Sequence, residues 1–229
     1  MSEGAPTVVT QDAARAWRTG GILLIAATVI SLTTPAGLPY TGAVQTLATA
    51  VFTASMLIFA FGFRGEGSVT ARRPLGTTAL VTLGVWELLA PFVGNAVIAA
   101  VDPRHVASVP WYSVDILARL ALALVAAVQI ARAHTIRPPW NRAPLWALAA
   151  VTVTWVATTV IGIAAAQAGP VTAGTNGEMF VGYAVGSVGF AAGFLDGAVR
   201  AGAAIFLGVV AIVLAGAPAS SERAASPAD

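Results

Sequence analysis

Along this chain the hydrophobic positions do not alternate with polar ones. They run in six blocks, roughly Trp17–Thr34, Thr41–Phe63, Leu75–Ala100, Val109–Ala131, Pro144–Ala168 and Phe190–Leu214, separated by short segments where Arg, Pro and Gly collect. Each block holds about 18 residues or more, enough at about 1.5 Å per residue to cross a hydrocarbon core of about 30 Å. In lipid every backbone N–H and C=O has to be satisfied inside the segment or in a closed barrel, and blocks without strand-like alternation satisfy theirs as helices. The pattern predicts an all-α, polytopic membrane protein with six transmembrane helices. Residues 1–16 form an N-terminal segment, 17–216 the helical domain, and 217–229 a disordered tail rich in Ala, Ser and Pro. Glu3 and Asp12 dilute the positive region that a secretory signal would need before the first block, and no clean A-x-A cleavage site follows it, so that block is read as a span.

Charge gives the blocks a direction. There is no lysine, and Arg15, Arg18, Arg64, Arg72, Arg73, Arg132, Arg137, Arg142 and Arg223 all fall at one face, against Arg104 alone in a loop of the other. Short cytoplasmic loops accumulate basic residues. Both termini are therefore expected in the cytoplasm, with the protein multi-pass in the cell (plasma) membrane. Composition agrees with this class, at 57% hydrophobic and 10% charged residues and a mean hydropathy of +0.81. A net charge of only +2 gives no basic patch for nucleic acid.

Several chemistries are excluded by missing residue types. Without cysteine there is no disulfide, thiol redox centre or cysteine-ligated cluster, and without lysine no Schiff base. His105 and His134 fall at opposite ends of the fourth span, too far apart to ligate one haem. No phosphate loop or zinc-helix motif occurs. Asp196-Gly197-Ala198-Val199-Arg200 is one residue short of the D-G-x-x-A-R signature of CDP-alcohol phosphotransferases, and the further aspartates that hold metals there are missing. The residues imply no catalytic set, metal or cofactor.

Weak internal periodicity reads as three helical-hairpin repeats. Pro74-Leu75 with Val81-Thr82 returns as Pro144-Leu145 with Val151-Thr152, and Asp115-x-x-x-Arg119 in the fourth span returns as Asp196-x-x-x-Arg200 in the sixth. Gln45-x-x-x-Thr49 is the neutral counterpart in the second.

Ionisable residues inside spans are costly and usually face the bundle interior. Five qualify here: Glu87, Asp115, Arg119, Asp196 and Arg200. Counted from the outer ends, the aspartates lie about 8–10 Å deep, the arginines about 14–16 Å and Glu87 about 20 Å, so one cluster among spans three, four and six is feasible. Spacing of four pairs each Asp with its own Arg. Glu87 is left alone on its helix and must hold a proton or receive a positive partner. Pro91, four residues on, frees the carbonyl of residue 87, and Asn95 is expected on the same face. Trp86 is deep enough to line a pocket, and Thr154 and Thr158 are expected as helix glue or extra hydroxyls. Val181–Gly189 reads either as a re-entrant piece or as an extension of the sixth helix.

Three function classes follow. A small transporter or ion-coupled permease with a polar intramembrane site, taking a small polar or cationic ligand, accounts best for the cluster. The permease reading allows a homo-oligomer, whereas a non-catalytic subunit or regulatory partner of a larger membrane complex accounts for the lack of a catalytic set and for the short loops. A membrane-embedded lipid or isoprenoid enzyme using a carboxylate as acid or base is third.

Overall fold

The computed structural model describes residues 11–34, 41–63, 66–101, 108–133, 136, 139–167 and 181–216, with the backbone alone at 98, 101, 108–113, 165–166 and 181–190. The fold is all-α. Helices α1 (Gln11–Thr33), α2 (Thr41–Phe61), α3 (Pro74–Val101), α4 (Ser108–Ala133), α5 (Ala143–Gln167) and α6 (Val181–Gly216) are each long and apolar enough to cross a membrane. A 3-10 turn, Trp140–Arg142, leads into α5. α1 starts six residues before its apolar block, because backbone hydrogen bonding continues past the hydrocarbon edge and Asp12 sits favourably in the positive first turn. Of the two readings of Val181–Gly189, the continuous helix is the observed one. At 36 residues α6 is about 54 Å long.

Each helix packs on its neighbours in the chain, and α1 closes against α6, so the six stand in a ring in sequence order. Small residues let the ring close. A Cβ on Gly21 of α1 would meet the carbonyl oxygen of Gly208 on α6 at 2.6 Å, so the two backbones lie nearly in contact, as membrane helix seams favour. Buried hydroxyls stitch the next seams. Ser55 donates to the Gly20 carbonyl at 2.8 Å, joining α2 to α1, and Thr53 donates to the Gly84 carbonyl at 2.8 Å, joining α2 to α3. With no water in the bilayer to compete, satisfied hydroxyls hold helices together without leaving polar atoms exposed to hydrocarbon.

The two ends of the ring differ. At the end carrying Arg15, Arg18, Arg72, Arg73, Arg132 and Arg142, the core is dense: Ala16, Trp17, Leu24, Met56, Ala60, Leu80, Ala126, Ile130 and Ala215 form one buried cluster. The α2–α3 connection folds back into this end, burying Ser68, Val69 and Thr70. Trp17 Nε1 donates to the Gly67 carbonyl at 2.6 Å, Ser68 Oγ to the Ala60 carbonyl at 2.7 Å, and the Ser68, Thr70 and Thr77 hydroxyls form a chain at 3.1 and 2.9 Å. Ala71 and Arg72 are both left-handed, with φ of 49° and 56°. Each such non-glycine residue costs about 1–2 kcal/mol, so these contacts hold the loop in a conformation it would not adopt alone. At the opposite end α5 stands off: Thr159 through Ala164 are exposed at every position, and six consecutive residues cover all faces of a helix.

Candidate functional site

Four side chains from two neighbouring helices form a closed polar clamp between α3 and α4. Arg119 Nε donates to Asp115 Oδ1 at 3.0 Å along α4, and its terminal Nη1 donates to Glu87 Oε2 on α3. Trp86 Nε1, one residue before Glu87, donates to the same Asp115 Oδ1 at 2.7 Å. Adjacent residues of α3 thus grip an i,i+4 pair of α4, since consecutive helical side chains point about 100° apart and reach two places one turn apart.

Glu87 has no arginine on its own helix, as expected, and of its two expected states the structure shows the one with a positive partner. Its partner comes from the next helix, which same-helix spacing cannot reveal, and one arginine serves two carboxylates. The second expected pair forms within α6, with Arg200 Nε 2.8 Å from Asp196 Oδ2. Among the described residues Arg200 has no second ion-pair partner like the one Glu87 provides for Arg119. Its side chain is 44% exposed against 27% for Arg119. Asp196 Oδ1 is buried without a hydrogen-bond partner among the described residues. The neutral counterpart on α2 takes another form: Thr49 donates to the backbone carbonyl of Gln45, while the Gln45 side chain receives Ser31 of α1 at 3.5 Å.

Inside the ring lies an elongated chamber of about 360 Å³. Its wall is apolar along most of its length, with Leu24, Met56, Leu80, Ala126, Leu207 and Val210 among its residues. Trp17, Phe52, Phe59, Trp140 and Trp155 add aromatic faces. The charged residues in its wall are Glu87, Arg119 and Arg200. On α4 the wall runs from Ile116 to Ile130 and on α6 from Arg200 to Leu214, about 21 Å in each case. All three charges sit at the end remote from the arginine-rich loops. That loop end is stoppered by Val69 and Ile136, both buried and both in the chamber wall.

No family model, curated protein or solved structure matches the chain.

Of the residues expected to share the site, Glu87, Arg119 and Arg200 meet in the chamber wall, with Asp115 and Asp196 holding the arginines from behind. Asn95 is not brought to them. It and Pro91 are exposed, because α3 continues through the proline and turns that face outward. Trp86 serves the clamp and not the chamber wall. Thr158 donates to its own helix at the Trp155 carbonyl. His105, His134, Arg104 and the loop residue Glu178 lie outside the described residues. Sequence reasoning missed Val69 and Ile136, loop residues in the chamber wall. Their one signal is a β-branched apolar side chain among the polar, Arg-, Gly- and Pro-rich residues of a connection. Among the described residues no three His, Asp or Glu side chains are grouped to hold a metal.

Proposed function

We propose that the protein is a small permease of the cell membrane, with both termini in the cytoplasm, that takes its cargo into the central chamber and couples passage to a cation at Glu87. The carrying observation is the polarity of the chamber: a ring of six helices encloses space lined by apolar side chains, with charge confined to one end and a packed stopper at the other. At about 360 Å³ the space falls within the range of small-molecule sites, about 300–1,000 Å³. A purely structural ion pair needs no such cavity beside it. The placement of charge near mid-membrane, about 20 Å from the loop end of α3, fits a site reached alternately from the two sides.

The orientation is tested with reporter fusions. A C-terminal fusion is expected to report cytoplasm and a tag within 170–177 the outside. The same side for both would overturn the reading of the arginine bias. Transport is tested with purified protein in proteoliposomes holding a pH-sensitive dye. Applied polar and amphiphilic solutes are expected to include at least one that moves protons, and Glu87→Gln, which cannot ionise, is expected to abolish that movement with the fold intact. If no solute class moves protons or charge, and the protein purifies with foreign subunits, the reading gives way to a non-catalytic partner of a larger assembly. One observation favours that second reading. The exposed faces of α5 and α6 include Gly162, Gly193, Gly197 and Gly202, where an added Cβ would meet none of the described residues within 4 Å, leaving room for another helix to approach closely.

A further inference from the structure

Resting on the permease reading, we infer that the cargo is a lipophilic monocation, an elongated or bulky apolar body bearing one permanent positive charge that comes to rest against Glu87. The inference begins from where the charge surplus lies. Three carboxylates and two guanidiniums stand inside the spans, and 3 − 2 leaves one negative charge. Asp196 and Arg200 balance each other on α6. The surplus therefore falls on the clamp, where Arg119 is the one cation ion-paired to both Glu87 and Asp115, while Arg200, already paired with Asp196, attracts Glu87 only from a longer distance.

Between those two acids the geometry assigns different tasks. Asp115 is only 13% exposed, and its Oδ1 receives both Trp86 and Arg119. Glu87 is 23% exposed, stands in the chamber wall, and among the described residues uses only Oε2 in a hydrogen bond. Its other oxygen remains to accept a proton or face a cation.

The groups facing Glu87 at that level are Asp115 and Arg119 from α4 and Asp196 and Arg200 from α6; the described residues of α1, α2 and α5 bring no ionisable group there. An anionic amphiphile would add a second negative charge to a set already at minus one, away from water, where opposition of like charges is strong. A monocation cancels the surplus.

The rest of the chamber favours a cation whose charge is shielded by hydrocarbon. A compact inorganic ion needs several oxygen ligands, and the wall offers one carboxylate among apolar groups. A charge spread over or buried within an organic body loses little on leaving water, and finds the faces of Trp155 and Phe52 for cation–π contact. Proton and cargo then compete for one carboxylate. When the cation binds, Glu87 releases one proton, and when a proton returns, the cation leaves.

The test uses the full-length protein in nanodiscs of zwitterionic lipid, with empty discs as the background. Two probes of the same size and shape and opposite charge are compared, tetraphenylphosphonium and tetraphenylborate, and binding is read as quenching of the chamber tryptophans Trp17, Trp140 and Trp155. Expected are saturable binding of the phosphonium, none of the borate, and wild-type affinity that strengthens by about tenfold per pH unit while Glu87 is protonated and levels off once it is ionised. Glu87→Gln is expected to weaken binding at least about tenfold and to remove the pH dependence. Should that variant fold poorly, the wild-type pH series stands alone, and Ala204→Phe, which fills the chamber from α6, is expected to abolish quenching. Binding of the borate in preference, binding of neither probe, or phosphonium binding indifferent to pH and to Glu87 each overturn the cation assignment. Saturable phosphonium binding without transport in proteoliposomes would instead overturn the permease reading and leave the site in place.

Discussion

Replacing Arg119 with leucine is expected to remove most of the folded protein. The substitution leaves Glu87 and Asp115 face to face with no cation between them, takes the donor from Glu87 Oε2, and leaves Asp115 with Trp86 alone. Breaking such a pair by taking one partner costs about 3–5 kcal/mol, a large part of an ordinary folding free energy of about 5–15 kcal/mol. The measure is monodisperse protein recovered in mild detergent, with its thermal midpoint. Neutralising the acids together with the arginine, as Glu87→Gln, Asp115→Asn and Arg119→Leu, is expected to restore most of the yield, since nothing charged is then left alone. Arg200→Leu is the internal control: it leaves one carboxylate, Asp196, without its cation where Arg119→Leu leaves two, so it should cost measurably less. The same asymmetry decides the charge swaps. Exchanging Asp196 with Arg200 keeps that pair whole, whereas exchanging Asp115 with Arg119 sets an aspartate opposite Glu87 and cannot rescue. Equal behaviour of the two arginines, or a successful swap at 115 and 119, would contradict the three-way contact.

Trp17→Ala is expected to unseal the arginine-rich end. The indole is 6% exposed, fills the chamber wall and holds the Gly67 carbonyl, so truncation removes packing and a hydrogen bond from a loop already carrying two left-handed residues. A loss of about 3–5 kcal/mol is typical for a buried tryptophan cut to alanine. Absence of native cysteine permits a direct readout. Ala127→Cys places a thiol at a position that is 3% exposed in the chamber wall. With Trp17 present, an impermeant maleimide applied from the arginine-rich side is expected to leave that thiol unlabelled, and with Trp17→Ala to label it. If labelling does not change, the stopper is not held by Trp17.

Hydropathy locates the helices to within a few residues because burial in lipid acts on every residue of a span, so the signal is continuous. Where a helix leaves the hydrocarbon that signal ends while the backbone ladder continues, which is why α1 is longer than its apolar block; α6 is longer because the apolar stretch Val181–Gly189, which hydropathy alone leaves open between a re-entrant piece and a helix, continues it. The Asp115–Arg119 and Asp196–Arg200 pairs are legible since helical spacing alone places them together. The Glu87–Arg119 contact, the Trp86 donor and the return of Val69 into the chamber are not, for each depends on which helices are neighbours and how each is rotated. Asn95 shows the same limit from the other side: eight residues from Glu87 the helix has advanced about 80° beyond two full turns, enough for a residue read as a site member to face outward.

Closure of α1 on α6 also imposes an order on biogenesis. Of these six helices α1 is made before α6, so the glycine face around Gly21 waits in lipid until α6 has emerged. The costliest charges do not wait as long. Glu87, Asp115 and Arg119 lie on consecutive helices and can meet as soon as α3 and α4 enter as a hairpin, which spares the membrane a solitary carboxylate. Asp196 and Arg200 arrive already joined on one helix. Charge is thus settled locally as the chain is made, and the apolar seam between α1 and α6 is deferred until both are in the membrane.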